Sequence, residues 1–111
     1  MMNNFMIVGR LATEFIKGEV DGKECTQIRL AVPRSYKNEE GIYETDFVPM
    51  ILLGKIAENT MEYCKKGDVI GARGSIHTSK DKKKLYLAVD KITFLSSNPD
   101  LKKTEDEEDD D

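Results

Sequence analysis

Scarcity narrows this chain first. Among 111 residues there are two cysteines, Cys25 and Cys64, and one histidine, His77. Two thiols without paired spacing make neither a disulfide framework nor a zinc site, so a reducing cytosol with two free thiols is expected. The lone histidine has no Ser or Cys nucleophile motif beside it, and the chain has no Gly-rich phosphate loop. An enzyme is not expected, nor is any metal or cofactor. No apolar run approaches the ~18 residues of a membrane span. Met1-Met2-Asn3-Asn4 carries no cationic region ahead of an apolar stretch, so no secretion signal is expected either.

What is present suits one small domain. The chain is 39% hydrophobic and 34% charged, enough for a modest core in a soluble protein. Its formal charge of -4 is unevenly spread. Residues 101–111 hold seven acids and two lysines, which leaves 15 basic and 14 acidic residues in 1–100. The body is therefore close to neutral, and the acidic pI does not exclude a polyanionic partner. A domain over residues 1–96 and a flexible acidic tail over 97–111 are expected, because the tail has almost no apolar content.

Phe5 to Leu11 reads as a first strand. Ala12 to Glu19 shows no clear period, and Asp21-Gly22 has the chemistry of a hairpin turn, since both residues tolerate positive φ. From Glu24 the alternation is clean, with Ile28, Leu30 and Val32 on one face, and Pro33 is expected to end that strand. Arg34 to Gly41 reads as a polar loop. Ile56, Ala57, Thr60, Met61 and Cys64 recur at helical spacing, with Lys65-Lys66 in the last turn and Gly67 as the stop. Asp68–Thr78 and Leu85–Leu95 complete five strands around one short helix, with Ser79–Lys84 as a basic turn between the last two.

The stretch Thr45–Lys55 stands out because both faces of the strand are apolar. Val48, Met50 and Leu52 fall on one side of the pleat, and Phe47, Pro49, Ile51 and Leu53 on the other. So small a domain rarely covers both faces of a central strand by itself. One face is expected to meet a ligand or another copy of the chain. Pro49 cannot donate to a ladder and marks an edge, a bulge or a non-bonded side.

Five strands with a helix between the third and fourth is the order of an all-β OB-fold barrel. The wording is closer still. Met2–Leu11, Ile28–Val32, Thr45–Asn59, Tyr63–Asp68, Gly74–Thr78 and Asp90–Leu95 together resemble bacterial single-stranded-DNA-binding proteins. That resemblance covers residues 2–95. It implies sequence-tolerant binding in which aromatic rings stack on bases and cations track phosphates. It implies a cytoplasmic, nucleoid-associated protein of replication, recombination or repair, and a homo-oligomer, most often a tetramer, with a dimer as the alternative.

Carried over by position, Tyr36 and Phe47 stand where relatives present stacking aromatics. Arg10, Arg29, Arg34, Lys37, Lys55 and Lys80 are placed to neutralise phosphate, with Arg73 and His77 on the outward face of the fourth strand. Lys82 and its neighbours Lys83 and Lys84 fit either a DNA contact or a solvated turn. Tyr86 matches no family stacker and is a local candidate. A strand phenylalanine such as Phe47 is by default core, and His77 reads equally as an ordinary exposed strand residue. Ile51 and Leu53 suit core or subunit contacts, Cys64 a small core residue and Tyr63 helix packing.

The departures from the family carry expectations of their own. Leu53 and Asp81 stand at aromatic positions, and Pro49 where some relatives have a basic residue. Thinned stacking with added lysine predicts weaker binding that leans more on salt, with a log–log slope of roughly -0.7 per phosphate contacted. The resemblance implies docking of replication and repair proteins through an apolar tip after the acids; the acidic run to Asp111 shows no such tip, so docking through the tail is not expected. The competing reading is an OB module used mainly for protein interaction, with weak nucleic-acid binding.

Overall fold

Alternation of apolar residues is visible in a sequence only where one face of a strand is buried, and this decides which elements the sequence reveals. The computed structural model describes residues 1–96; the expected acidic tail lies outside the described residues. In chain order come β1 (Phe5–Leu11), β2 (Ile16–Val20), β3 (Lys23–Lys37), β4 (Tyr43–Leu52), α1 (Lys55–Tyr63), β5 (Val69–Thr78) and β6 (Leu85–Ser96).

Five of the strands close a ring. β1 pairs with β5, β5 with β6, β6 with β4 and β4 with β3, and β3 returns to β1 through Arg10 opposite Ala31 and Leu11 opposite Leu30. The β4–β6 pair is parallel, with Ile51 opposite Ala88, while the other pairs are antiparallel. This is the expected OB barrel, with α1 between the third and fourth ring strands. The sixth strand, β2, was not legible: four of its five residues are exposed and none is buried, so no alternation marks it. It pairs only with β3, across the Asp21-Gly22 turn, whose residues both have positive φ as expected.

Two element ends differ from the expectation. β3 does not stop at Pro33 but runs to Lys37, with Pro33 opposite Thr45 and a register shift between Pro33 and Lys37. A bulge tolerates a residue that cannot donate, so the proline bends the strand instead of ending it. The helix ends at Tyr63, and Cys64 is already extended, so Lys65 and Lys66 lie beyond it. Tertiary hydrogen bonds pull the chain away there. Lys65 N donates to the Asp68 carboxylate, Gly67 N to Leu11 O, and Leu11 N to Asp68 O, each at 2.8 Å.

The core is largely the expected one, with Leu11 added and with Val32 and Val48 only half-buried against it. Leu11, Ile28, Leu30, Met50, Leu52 and Ile70 are buried inside the barrel, with Ala57 and Cys64 closing it from below. Truncating one of these leucines to alanine costs about 2–5 kcal/mol. Burial first, then the Asp68 carboxylate, push the Cys64 thiol up to about 12, so it is an inert core thiol. At Gly74 the β5–β6 register shifts, and a Cβ there would run into the Ala88 carbonyl and the Phe5 ring. The strand pair bends at this point, so β5 and β6 contribute to two different outer surfaces.

Candidate nucleic-acid interface

Because Ile28, Leu30, Met50 and Leu52 point inward, the alternate residues of β3 and β4 point outward. Ala31 lies opposite Phe47, and Arg29 opposite Pro49. Phe47 is 58% exposed. The default expectation for a strand phenylalanine was burial, yet its cross-strand neighbour is only an alanine and leaves the ring uncovered. Ile51, on the same side of β4, is buried but stands outside the core cluster. Leu53 is half-buried. Pro49 is exposed, and the β6 ladder touches β4 only at Ile51, two residues further on.

Past the barrel, β3 and β4 continue as a hairpin arm. Its tip is organised by Asn38, whose Oδ1 accepts from Glu40 N at 2.9 Å and Ile42 N at 3.0 Å, while Gly41 takes a positive φ. Tyr36 projects from the bulged part of the arm, 62% exposed. The Lys37 ammonium sits 5.7 Å from the centre of the Tyr43 ring, a partnership not foreseen from sequence. Arg34 is engaged within the arm. Its guanidinium donates to both Asp46 oxygens at 3.0 and 2.9 Å and reaches Glu44 at 3.2 Å. The Arg34 hydrogen bond holds the Asp46 carboxyl below its usual range, and Asp46 in turn raises the guanidinium. Arg29 and Lys55 are exposed and form no ion pair among the described residues.

The β5–β6 hairpin enters the same side. Ile51 pairs with Ala88 in the parallel ladder, and two residues back along both strands lie Pro49 and Tyr86. Tyr86 is in turn opposite His77. Two cross-strand pairs, Arg29–Pro49 and Tyr86–His77, thus stand on either side of the β4–β6 junction, with Pro49 and Tyr86 each two residues before the Ile51–Ala88 pair. The His77 and Tyr86 rings stack at 5.5 Å and 19°, and Ser75 Oγ lies 2.8 Å from His77 Nε2. At the turn, Asp81 does not present itself as a stacking substitute. Its carboxylate accepts from Ser79 Oγ and from Lys83 N, which holds it below the usual carboxylate range. Lys80, Lys82, Lys83 and Lys84 are exposed around it. Lys80 N also donates to Asp21 at 3.0 Å, tying this turn to the β2–β3 turn.

Arg10 and Arg73 are not brought to this surface. Both lie on the outer face of β1 and the first half of β5, where Met6 is opposite Arg73 and Val8 opposite Gly71. Arg10 Nη1 donates to Gly67 O at 2.6 Å, and Arg73 pairs with Asp90 at 3.2 Å. Tyr63, read as helix packing, is exposed and meets Phe94 edge-on at 6.1 Å.

Known proteins share both sequence and shape with this chain. Single-stranded DNA-binding protein B of Bacillus subtilis (strain 168) is 42% identical over 79 residues, which is 70% of this chain and 70% of that relative. Single-stranded DNA-binding protein 1 of Streptococcus pyogenes serotype M18 is 37% identical over 79 residues, again 70% of this chain but 61% of that relative. The mitochondrial single-stranded DNA binding protein Rim1 of S. cerevisiae superposes with a TM-score of 0.67 at 20% identity, covering 88% of this chain and 99% of that one. At that identity the likeness speaks for the fold. The profile of the Single-strand binding protein family matches residues 2–95, all but the first and last of the described residues, and the chain belongs to that family.

Proposed function

We propose that this protein binds and protects single-stranded DNA without base-sequence preference, as a non-enzymatic coat during replication, recombination or repair. The observation that carries the reading is Phe47. A large ring stands exposed at the centre of a barrel strand, with small Ala31 opposite and Arg29, without an ion pair among the described residues, two positions along β3. Every base offers a π-face, so a ring flanked by a cation recognises strand and not sequence. Tyr36 on the arm extends the stacking surface. Arg29, Lys37, Lys55, Lys80 and Lys82 supply phosphate contacts, whereas Arg34, Arg10 and Arg73 are committed to contacts within the chain. No helix among the described residues is long and apolar enough to cross a membrane, and the cytoplasmic, nucleoid-associated setting belongs to this reading.

The same reading includes a homo-oligomer. On the other outer face Met6 is 81% exposed, Val8 and Leu95 stand beside it, and Phe5 to Gly9 pair on one side only among the described residues. A second copy covering this face would satisfy both the free strand edge and the aliphatic surface. The test is Tyr36→Ala with Phe47→Ala. Affinity for oligo-dT is expected to fall, by about 1–3 kcal/mol per lost stack, while the solution mass stays that of the parent. Unchanged affinity, or a changed mass, would overturn the assignment.

A further inference from the structure

We infer that the DNA surface does not end at Phe47 but continues over Pro49 onto the Tyr86–His77 ring pair, which takes a further nucleobase. This rests on the reading of the β3–β4 face as the single-strand surface. The ring pair is reachable, with the outer face of each ring left open by the stack. His77 is exposed and Tyr86 half-buried, and their rings lie 5.5 Å apart and within 19° of parallel. Ser75 Oγ, 2.8 Å from Nε2, fixes the plane of the imidazole. The strand pair beneath is held at its end by Asp21 on Lys80 N, and on its flank by Asn3, which bonds both Ile76 O at 2.7 Å and Ile76 N at 2.9 Å. A platform held this firmly loses little freedom when a base settles on it.

Position supports the same conclusion. Phe47 and Tyr86 lie on adjacent strands, four and two residues before the Ile51–Ala88 pair, a gap on the order of 10 Å. An extended single strand crosses such a gap between splayed bases. The exposed lysines of the adjoining turn make no ion pair among the described residues and stand where the backbone would leave the surface. Stacking lost at Leu53 and Asp81 is thereby replaced from a position two residues past the turn. Packing of two rings against each other accounts for their contact, but not for their place on the strand next to the Arg29–Pro49 pair.

The test is photocrosslinking to oligo-dT carrying 5-iododeoxyuridine, with the crosslinked peptides mapped. Crosslinks at Phe47 and also at Tyr86 or His77 support the inference. Crosslinks at Phe47 without any at Tyr86 or His77 overturn it and leave the broader reading standing. No binding by the parent chain removes both. In parallel, Tyr86→Leu is expected to weaken oligo-dT binding about five-fold or more, and Tyr86→Phe to retain it. His77→Leu, at the more exposed ring, repeats the test without touching the half-buried one. Full affinity in both leucine variants would overturn the inference.

Discussion

The barrel presents two outer faces that are equally conspicuous and chemically unlike. On β3, β4 and the far half of β5–β6 the face carries rings, exposed Phe47 and His77 with half-buried Tyr86, and Arg29 has no carboxylate partner among the described residues. On β1 and the near half of β5–β6 the most exposed apolar groups are aliphatic, Met6, Val8 and Leu95, and both arginines are engaged, Arg73 by Asp90 and Arg10 by Gly67 O. Exposure alone would call both faces binding sites. The neighbours separate them: rings beside a cation without a carboxylate suit nucleotides, and aliphatic surface whose arginines are engaged suits protein.

Gly74 is where one face gives way to the other, and it offers the largest effect. Gly74→Val would drive side-chain atoms into the Ala88 carbonyl and the Phe5 ring. Neither neighbour is a flexible tip, so loss of stability upwards of ~3 kcal/mol is expected in urea denaturation. Next come paired substitutions on the two faces. Phe47→Ala should weaken oligo-dT binding by about 1–3 kcal/mol at constant mass. On the proposed homo-oligomer, Met6→Glu should lower the mass seen by sedimentation, while each protomer keeps its Phe47-dependent contact.

Salt sharpens the contrast further. Arg29→Ala should flatten the log–log salt dependence of single-strand binding by roughly 0.7, the share of one phosphate, and Arg73→Ala should leave it unchanged. The smallest effect concerns Asp46. Its carboxyl is held low in the folded chain by Arg34, so its contribution is complete above the unfolded value and fades as pH falls through the lower folded one. An NMR titration should place its midpoint below the usual carboxylate range, and Arg34→Ala should bring it back. The pair is solvent-exposed, so global stability should scarcely register the change.

The ring strands and their inward residues were legible because one buried face imposes a period of two on Ile28, Leu30, Met50 and Leu52. β2 was not, because none of its residues is buried. Pro33 was misleading for a physical reason: a bulge absorbed it, and β3 carried on. The same limit applies to the site. Phe47 and Tyr36 could be singled out, but whether a cation is free depends on partners distant in sequence. Arg34 meets Asp46, Arg73 meets Asp90 and Arg10 meets Gly67 O, and nothing in the local sequence distinguishes them from Arg29. The nearness of Tyr86 to the β3–β4 face follows from one parallel pair, Ile51 with Ala88, between strands far apart in the chain. No local pattern announces it.

The division of labour between the two faces is tested most directly by sedimentation of fluorescein-labelled oligo-dT with Phe47→Ala and Met6→Glu, since one run reports assembly and DNA occupancy together. Phe47→Ala should keep the parent's mass and lose bound oligonucleotide, and Met6→Glu should lose mass and keep the Phe47-dependent contact. Loss of both properties in either variant, or the reverse pattern, would contradict the assignment of DNA to the ring-bearing face.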